Sequence, residues 1–413
     1  MAVQEQQQRL RWIDNVPRAD YVLLAIVAAL LVIGLIMVWS VTFPPRVGLG
    51  LPDPESFAVK QLEFAALGLL VLLVLSRIDY HRWGKLAIPM MAVTIAVLIV
   101  LLFLPESNGA RRWLFNGSFQ PAEVAKFTVI IYMARCLSSK GEKLRQVTYG
   151  LLPFAIFVGA VTGLIIRQPN LSTAIIIGLC AMAMFFIAGA DLIQYVLLLI
   201  AGGVTVAIVI ANTPYQLSRW TVFLQDPFTN LTKENYQIAQ TLMALGSGGL
   251  LGRGIGTGIS KFGYVPAPQT DSIFALLGEE MGLIGTWAVL ALFLALVYRG
   301  FRIASKSSDP FGQVLAAGLT FWLIFQAFVN IAVVTATVPF TGVPLPFISF
   351  GGSALVSAMA AIGVLLSISR NDAALKEANA TFDFGWRNGG ARVSRTDRRH
   401  SHPESGSRKA RTR

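Results

Sequence analysis

The chain is poor in the residues that a soluble enzyme, a metal centre or a disulfide framework would need. Only 14% of its 413 residues are charged, and it holds three histidines and two cysteines. Cys136 and Cys180 have neither the spacing of metal ligands nor a partner in an external loop, so we assign both to packing, with no disulfide. The first twenty residues lack an A-x-A-like cleavage site, and we expect no signal peptide to be removed.

What the chain has in abundance is apolar sequence. Hydrophobic residues make up 54% of it and its mean hydropathy is +0.62, which is typical of an integral membrane protein. A helix needs about 20 apolar residues to cross a hydrocarbon core about 30 Å thick. Ten such runs predict an all-α fold of ten transmembrane helices, near residues 21–43, 60–77, 86–104, 121–138, 148–166, 171–189, 193–212, 272–298, 312–336 and 345–369.

The positive charge of the chain predicts its orientation. The formal net charge of +12 could suggest a nucleic-acid partner, but most of the excess falls in loops that the positive-inside rule places in the cytoplasm. With the N-terminus inside, these loops begin at Arg77, Arg135 and Arg299, and the tail after Arg370 joins them. We therefore predict that both termini are cytoplasmic and that no nucleic acid is bound.

Three segments follow from this topology. Residues 1–20 form a cytoplasmic N-terminal segment, residues 21–370 a membrane domain, and residues 371–413 a basic tail that we expect to be disordered because it is poor in apolar residues. The one large external feature is the loop 213–271. Within it, "KENYQIAQTLMALGSGGLLG" has apolar residues at helical spacing, which predicts a short amphipathic helix and a loop suited to holding a lipid-linked substrate.

Asp271 stands where this loop gives way to the eighth predicted span, in "QTDSIF". Asp, Thr and Ser are favoured at helix N-caps, so the pattern by itself favours capping. The other interpretation is a general base at the outer membrane surface, beside apolar walls that raise its pKa. The spacing leaves both open, and a helix dipole would lower the pKa that burial raises.

Charged residues also occur at membrane depth, where they need partners or a polar cavity. Glu279 and Glu280 lie about two turns into the eighth span. Glu123 and Lys126 are three apart on the fourth span, so they share a face and can pair. Structural pairing is one interpretation, and an internal polar cavity with Lys126 open to an anionic ligand is the other.

Two external stretches combine cations with glycine. Adjacent Arg111 and Arg112 in "NGARRW" oppose the charge rule; guanidinium groups suit bidentate phosphate contacts, but an Arg and Trp pair also anchors lipid head groups. The glycine run "GSGGLLGRGIGTG" lacks the preceding strand and the G-K-[ST] ending of a nucleotide loop. Its glycines are better explained by sharp turns and close backbone approach, and Arg253 within it is a weaker phosphate candidate.

The last two spans add uncharged polar side chains. Gln326 and Asn330 are four apart, so they share a helix face and can hydrogen-bond to neighbouring helices. "TGVPLPFISFGGSALVSA" brings proline and glycine to the start of the last span and predicts a non-helical lip, which needs protein or a cavity around it. Ser353 and Ser357 within it give a small-xxx-small face for close packing.

In this order, the quoted stretches resemble the SEDS family (shape, elongation, division and sporulation). The matching pieces are "NGARRW", "QPAEVAK", "QPNLSTA", "FLQDP", "YQIAQ", "SGGLLGRGIG", "TDSIFALLGEEMG" and "TGVPLPFISFGGS". The resemblance runs from about Tyr21 to Arg370 and implies a ten-span glycosyltransferase of the bacterial plasma membrane that polymerises lipid II into peptidoglycan glycan strands. Asp271 then matches the family's essential aspartate.

The stretch "SRWTVFLQDPF" favours the division branch of the family, represented by FtsW, over the elongation branch, represented by RodA. The division branch implies septal cell-wall synthesis and a location at the division septum. The chain departs from the family pattern at Ala267, where the family often has glutamate, and at Asn170, where aspartate is usual. An acidic role at these two positions therefore does not carry over.

The resemblance implies that a sugar 4-hydroxyl attacks the anomeric carbon of a donor chain held on undecaprenyl diphosphate. A base must take the proton, positive charge must stabilise the leaving diphosphate, and one displacement with inversion needs no covalent intermediate. We predict Asp271 as the base. The predicted substrate-binding residues are Arg111, Arg112, Lys126, Arg219, Arg253 and Lys261, and the predicted cavity or supporting residues are Glu123, Glu279, Glu280, Gln326, Asn330, Ser349 and Ser353.

The only cofactor that the pattern suggests is a divalent cation, Mg²⁺ or Mn²⁺, near Asp271. The implied partners are lipid II, the undecaprenyl-diphosphate-linked glycan, a class B penicillin-binding protein transpeptidase and other divisome membrane proteins. Acting on lipid II also calls for a lateral groove between the later spans and the loop helix. The rival hypotheses are a transporter that flips the lipid-linked precursor and a structural scaffold, which leaves the ordered external motifs unexplained.

Overall fold

The computed structural model describes residues 20–42, 54–104, 112–114, 119–228 and 233–388. The predicted N-terminal segment therefore lies, apart from Asp20, outside the described residues. The chain divides into two units, Met1–Ala373 and Ala374–Arg413, and the candidate membrane spans belong to the first.

Within these residues the regular structure is helical, apart from one isolated bridge between Leu114 and Phe119. The helices are α1 Tyr21–Thr42, α2 Pro54–Arg77, α3 His81–Leu101, α4 Pro121–Ser138, α5 Leu152–Ile166, α6 Leu171–Ile187, α7 Leu192–Asn212, α8 Pro214–Phe223, α9 Lys233–Ser247, α10 Ile273–Lys306, α11 Pro310–Val334 and α12 Gly352–Asn388. A 3₁₀ turn, Gly141–Arg145, and a π-helical turn, Val147–Leu151, precede α5. The predicted all-α class is confirmed.

In the described part of the chain, eight helices are long and apolar enough to cross a membrane by length and composition. Two predicted spans fall short: α4 carries Glu123, Lys126 and Arg135, and α6 has 17 residues. Both lie inside the bundle, where α6 packs against α4 and α11. A helix surrounded by protein can carry paired charges that lipid would not tolerate. An integral membrane protein is confirmed, and the count of ten stays a prediction.

The last helix departs most from its predicted bounds. It begins at Gly352 instead of residue 345, because Pro344 and Pro346 lack the amide that a helix interior needs. It continues to Asn388, through a stretch rich in Ala, Leu, Lys and Glu, which favour helix. The predicted tail thus starts within a helix, and residues from 389 onward, where disorder stays a prediction, lie outside the described residues.

α10 and α11 form the centre of the bundle. α10 packs against α1, α9 and α11, and α11 packs in turn against α4 and α6. Both helices carry large, fully buried side chains, such as Phe293 of α10 and Trp322 of α11. At the end of α10 far from Asp271, Arg299 Nη2 lies 2.6 Å from Asp20 Oδ2 and ties α10 to the start of α1.

The loop 213–271, which the sequence places outside, contains two helices where the sequence predicted one. α9 is the predicted amphipathic helix, and its apolar face turns to the bundle: Ile238 is buried, and an added Cβ on Gly278 of α10 would lie 2.4 Å from Leu245 Cδ1. α8 was missed because its sequence, "PYQLSRWTVF", alternates polar and apolar residues without a clear stripe. Its first residue, Pro214, is nevertheless typical of a helix start.

Candidate active site

Asp271 lies on the turn that leads into α10. The helix begins at Ile273 with Ser272 as its N-cap residue, so the interpretation of Asp271 as the cap is wrong. The Asp271 carboxylate is half-buried, and Thr270 Oγ1 donates to its Oδ1 at 2.9 Å. Its Oδ2 lies beside Gly342, where an added Cβ would be 3.8 Å away.

Burial raises the pKa of Asp271 above its usual value of 3.8. The hydrogen bond from Thr270 and the positive charge of Arg219 both lower this pKa, but by less than burial raises it. The sequence left open whether burial or the opposing charges would decide the pKa of Asp271, and in the structure burial outweighs them. A carboxylate with a raised pKa is a stronger base than an ordinary surface aspartate.

Two amide side chains of α11 hold the Asp271 turn and the lip, residues 341–351, together. Asn330 Nδ2 donates to the backbone carbonyls of both Asp271 and Val343, each at 2.8 Å. One turn earlier, Gln326 Nε2 donates to the carbonyl of Pro344 at 3.0 Å. The predicted shared face is confirmed, and it satisfies backbone groups of a non-helical segment, as a membrane interior requires.

Two serines connect the lip with the rest of the bundle. Ser349 Oγ accepts from Leu345 N at 2.8 Å, while its carbonyl accepts from Gln61 Nε2 at 3.3 Å. Ser353 Oγ accepts from Gln120 N at 3.2 Å. The predicted non-helical lip is confirmed, and both serines hydrogen-bond backbone amides around it.

Arg219 on α8 lies in electrostatic range of Asp271. It donates to the carbonyl of Phe340 at 3.0 Å and to the hydroxyl of Tyr215. Its guanidinium carbon lies 4.4 Å from the centre of the Tyr215 ring. Stacking on the Tyr215 ring and a hydrogen bond to a carbonyl orient the guanidinium without neutralising its charge. Arg219 therefore stays available to an anion.

Arg112 approaches the same region from the loop after α3. It donates to the carbonyls of Gln168, at 3.3 Å, and Pro169. Burial lowers the pKa of Arg112, Tyr215 raises it, and the like charge of Arg219 lowers it further, which places the two arginines near each other. Within the described residues neither arginine pairs with a carboxylate. Two such cations beside one another form a candidate anion site.

Lys126, by contrast, is enclosed. Its Nζ lies 2.8 Å from Glu123 Oε1, which confirms the predicted pair, and it donates to Gln326 Oε1 at 2.6 Å. Trp322 Nε1 donates to the same oxygen at 2.9 Å. Since Lys126 is only 2% exposed, an anionic ligand could reach it only if this network opened.

Glu279 and Glu280 find their partners in the glycine loop, residues 248–261. Each carboxylate accepts a backbone amide of this loop: Glu279 Oε1 at 2.8 Å and Glu280 Oε2, from Gly256, at 3.0 Å. Lys261 Nζ lies 3.0 Å from Glu280 Oε1, and Lys261 is buried. The pairing expected of the glutamates is thus present, whereas Lys261, predicted to bind substrate, is engaged inside the protein.

The two remaining predicted cations differ in accessibility. Arg253 is exposed on the glycine loop, and its Nε donates to the carbonyl of Ser247 at 3.4 Å. Arg111 lies outside the described residues. The structure therefore places Arg219 in electrostatic range of both Asp271 and Arg112, and leaves Arg253 as an exposed cation of the loop 213–271.

A cavity of about 260 Å³ lies between α9, α10 and α11, where the sequence predicted a lateral groove. Its lining is mainly apolar and includes Leu245, Phe274, Leu283, Trp287, Leu290 and Ile331. Leu283 and Trp287 are 48% and 61% exposed, so the cavity opens on the side of the bundle. Phe274, one of the lining residues, follows Asp271 by three residues. The end of the cavity at Phe274 is therefore close to the candidate base.

Sequence reasoning missed two residues that contact the predicted set. Tyr215 stands four residues before Arg219, and this spacing on one helix face could have indicated their contact. Ser40, at the end of α1, donates to both carboxylate oxygens of Glu280, at 2.8 and 2.6 Å. No local pattern relates two residues 240 positions apart, so Ser40 had no signal in the sequence.

A divalent cation near Asp271 would have few protein ligands. Among the described residues no group of three or more His, Cys, Asp or Glu side chains is arranged to hold a metal ion. Mg²⁺ commonly binds through one or two carboxylates together with substrate phosphates. The lone carboxylate of Asp271 fits that mode only, with the ligand's phosphates completing the coordination.

Residues 21–374 match the model of the cell cycle protein family that comprises FtsW, RodA and SpoVE. The probable peptidoglycan glycosyltransferase FtsW of Geobacter sulfurreducens is 36% identical over 365 residues, which are 86% of this chain and 96% of the relative. Stage V sporulation protein E of Bacillus subtilis is 37% identical over 358 residues, or 85% and 97% of the two chains.

Solved structures agree with these relatives. The rod shape determining protein RodA of Thermus thermophilus superposes with a TM-score of 0.64 at 26% identity, over 86% of this chain and 97% of RodA. A chain from a peptidoglycan synthase complex, described as coordinating polymerization and crosslinking, gives a TM-score of 0.69 at 26% identity, over 86% and 98%. Because the family model and the FtsW relative both match most of its length, the chain belongs to the FtsW/RodA/SpoVE family of cell cycle proteins.

Proposed function

We propose that the chain is a peptidoglycan glycosyltransferase that polymerises lipid II at the outer face of the bacterial plasma membrane. The observation that carries the proposal is the half-buried Asp271 carboxylate, whose pKa is raised and which lies in electrostatic range of Arg219. A base and a cation are the two groups that this reaction needs. The names of the relatives, several of them glycosyltransferases, support the same reaction.

In the proposed mechanism Asp271 takes the proton of the acceptor's 4-hydroxyl as that oxygen bonds to the anomeric carbon of the donor. The bond between the anomeric carbon and the diphosphate oxygen breaks in the same displacement, so the configuration inverts and no covalent enzyme intermediate forms. Arg112 and Arg219 stabilise the charge on the departing undecaprenyl diphosphate. The proton on Asp271 then passes to water.

The proposed topology has ten spans with both termini in the cytoplasm. It puts the loop 213–271, and with it Asp271, outside, where lipid II is polymerised. The apolar cavity between α9, α10 and α11 supports a lateral route for the polyprenyl chain, because an isoprenoid can enter it from the bilayer. We propose that it holds the part of the chain nearest the diphosphate.

The deciding experiment uses the full chain, purified in detergent with a class B penicillin-binding protein and supplied with lipid II. Wild type is expected to make glycan polymer, and Asp271→Ala and Asp271→Asn to make none, because neither side chain can take a proton. Glu63→Gln, which removes an exposed carboxylate at the same end of the bundle as Asp271, is the matched control and should keep wild-type activity.

Two outcomes would overturn this assignment. Polymer made by Asp271→Asn with normal folding would exclude the aspartate as base. Flipping of lipid II across vesicles without polymer formation would favour the rival hypothesis, a transporter.

We further propose a class B penicillin-binding protein as partner and cell division as the process served. The relatives named FtsW and the solved peptidoglycan synthase complex support these two proposals. A fluorescent fusion of the chain should gather at the septum of dividing cells. Even distribution along the lateral wall would favour the alternative, an elongation role like that of RodA.

A further inference from the structure

α10 is broken at Gly282, whose backbone angles are φ 67° and ψ −165°. A break inside a spanning helix leaves carbonyls and amides without helical partners, and in a membrane other protein groups must satisfy them. The glycine loop does so from both sides. The amides of Arg253 and Gly254 donate to the carbonyls of Glu279 and Glu280, each at 3.0 Å, and the carbonyls of Gly249 and Leu250 accept from the amides of Leu283 and Ile284 at 2.9 and 3.2 Å.

The contact between the loop and the break leaves no room for side chains. An added Cβ on Gly252 would lie 2.2 Å from the carbonyl oxygen of Glu280, and one on Gly282 would lie 2.2 Å from the amide of Gly252. Both glycines also have a positive φ. The loop is thus built to press its backbone against the broken helix, which explains the glycine run without a phosphate ligand.

Lys261 ties the end of the glycine loop to both α1 and α10. Its Nζ donates to the carbonyl and hydroxyl oxygens of Ser40 at 3.1 and 3.3 Å, to the carbonyl of Gly256 at 2.6 Å and to Glu280 Oε1 at 3.0 Å. An ammonium group has three donors, and these acceptors, from α1, the loop and α10, occupy them all. Lys261, Ser40 and Glu280 are 2%, 5% and 1% exposed, so the site is closed to solvent.

The chain from Lys261 to Asp271 is held at two intermediate points. Val265 is buried, and its amide donates to the carbonyl of Ser260 at 3.0 Å. The carbonyl of Gln269 accepts from Phe350 N of the lip at 2.8 Å. Lys261 is therefore the upstream anchor of a segment whose downstream end is the candidate base.

We propose that Lys261 is a positioning residue: its buried pair with Glu280 locks the glycine loop onto the broken α10 and thereby fixes the turn that carries Asp271. This replaces the diphosphate contact that the sequence suggests for Lys261. The inference rests on the proposed function of Asp271 as the base.

The test is a cycle of variants in the full chain with its penicillin-binding partner: Lys261→Met, Glu280→Gln and the double variant. Each single change leaves one buried charge without its partner, so kcat should fall, by about 100-fold for a small displacement of the base, while KM stays near the wild-type value. The double variant leaves no unpaired charge and should recover most of kcat. Lys60→Met, at an exposed lysine, is the matched control.

A raised KM with unchanged kcat in Lys261→Met would show that Lys261 contacts substrate and would overturn the inference. A double variant no better than the singles would show that the pair does not position the base and would overturn it equally. The double variant carries the test if a single variant does not fold.

A second measurement is independent of activity. Amide hydrogen exchange across residues 256–272 should be faster in Lys261→Met and return toward wild type in the double variant, while residues 310–334 of α11 stay unchanged. If wild type makes no polymer, the proposed function fails and this exchange pattern alone decides the role of Lys261. Unchanged exchange across residues 256–272 would refute the anchor.

Discussion

At the scale of single residues, the surroundings of Asp271 determine its chemistry. Burial between the start of α10 and the lip destabilises the charged form, and Thr270 and Arg219 offset part of that effect. The result is a carboxylate whose pKa is raised but which keeps a cation in range. A group of this kind can accept a proton at neutral pH and still be ionised beforehand.

The rate of polymerisation should therefore fall as the pH drops through a pKa above 3.8, the usual value for aspartate. Because the charge of Arg219 lowers this pKa, Arg219→Gln should move the acid limb of the kcat/KM profile to higher pH. Arg82→Gln, at an exposed arginine at the other end of the bundle, should leave the limb in place. A limb that moves to lower pH in Arg219→Gln would contradict the electrostatic coupling.

The same pKa shift predicts a change in stability. Since the folded-state pKa of Asp271 is raised above the unfolded one, the folded state binds the proton more tightly, and ionised Asp271 costs stability above the folded pKa. Asp271→Asn should therefore abolish activity while its Tm at neutral pH equals or exceeds that of wild type. The difference in Tm should vanish below the ordinary aspartate pKa, and a large loss of Tm would indicate a structural role instead.

At the scale of elements, the break in α10 and the glycine loop form one unit. The loop satisfies the backbone groups that the break exposes, and the two glutamates satisfy amides of the loop in return. Neither element would be tolerated in a membrane without the other.

Gly252→Ala should push the glycine loop away from the broken α10. The added Cβ would lie 2.2 Å from the carbonyl oxygen of Glu280, and the φ of +79° at this position suits only glycine well. We expect a loss of about 2 kcal/mol or more in unfolding free energy, and of activity with it. Gly246→Ala is the matched control: it lies in α9 with open space around it, so alanine should stabilise by up to about 1 kcal/mol. Thermal unfolding of both variants in detergent checks the difference in sign, and equal effects would contradict it.

At the scale of the whole molecule, the interior of the bundle is largely apolar but also holds polar side chains, and many other apolar side chains face outward. Lys126, Glu123, Gln326 and Asn330 form a buried line of contacts from α4 through α11 to the lip, while α7 is almost wholly exposed and apolar. Apolar side chains both inside and outside the bundle fit a chain surrounded by lipid, in which the hydrophobic effect does not drive apolar residues inward.

The ten-span topology can be checked by labelling cysteines introduced at exposed positions. A membrane-impermeant maleimide should react with Gln225→Cys in intact spheroplasts, and with Lys143→Cys only after lysis, because the two positions lie on opposite sides in the proposed topology. Both cysteines are introduced into a Cys136→Ser chain, because Cys136 is free and only partly buried. This chain without an introduced cysteine is the control: buried Cys180 should stay unlabelled under both conditions. Labelling of Lys143→Cys in intact spheroplasts would contradict the orientation.

Much of this architecture was readable from local pattern. The apolar runs predicted helices that the structure contains, because a chain in lipid must satisfy its backbone internally and helices do so. The Glu123 and Lys126 pair, the shared face of Gln326 and Asn330 and the helix α9 followed from helical spacing alone. The lip followed from its prolines and glycines.

The sequence by itself thus determined the fold class, the helical content of the loop at α9 and the residue types of the site. Only the tertiary structure decided which of those residues meet. It placed Lys261 against Ser40 and Glu280 in the closed interior, and it put Arg219 in electrostatic range of Asp271. It also decided that burial outweighs the neighbouring charge and hydrogen bonds at Asp271. The physical reason is that spacing along a helix defines a face, whereas burial and pairing depend on which other segments of the chain cover that face.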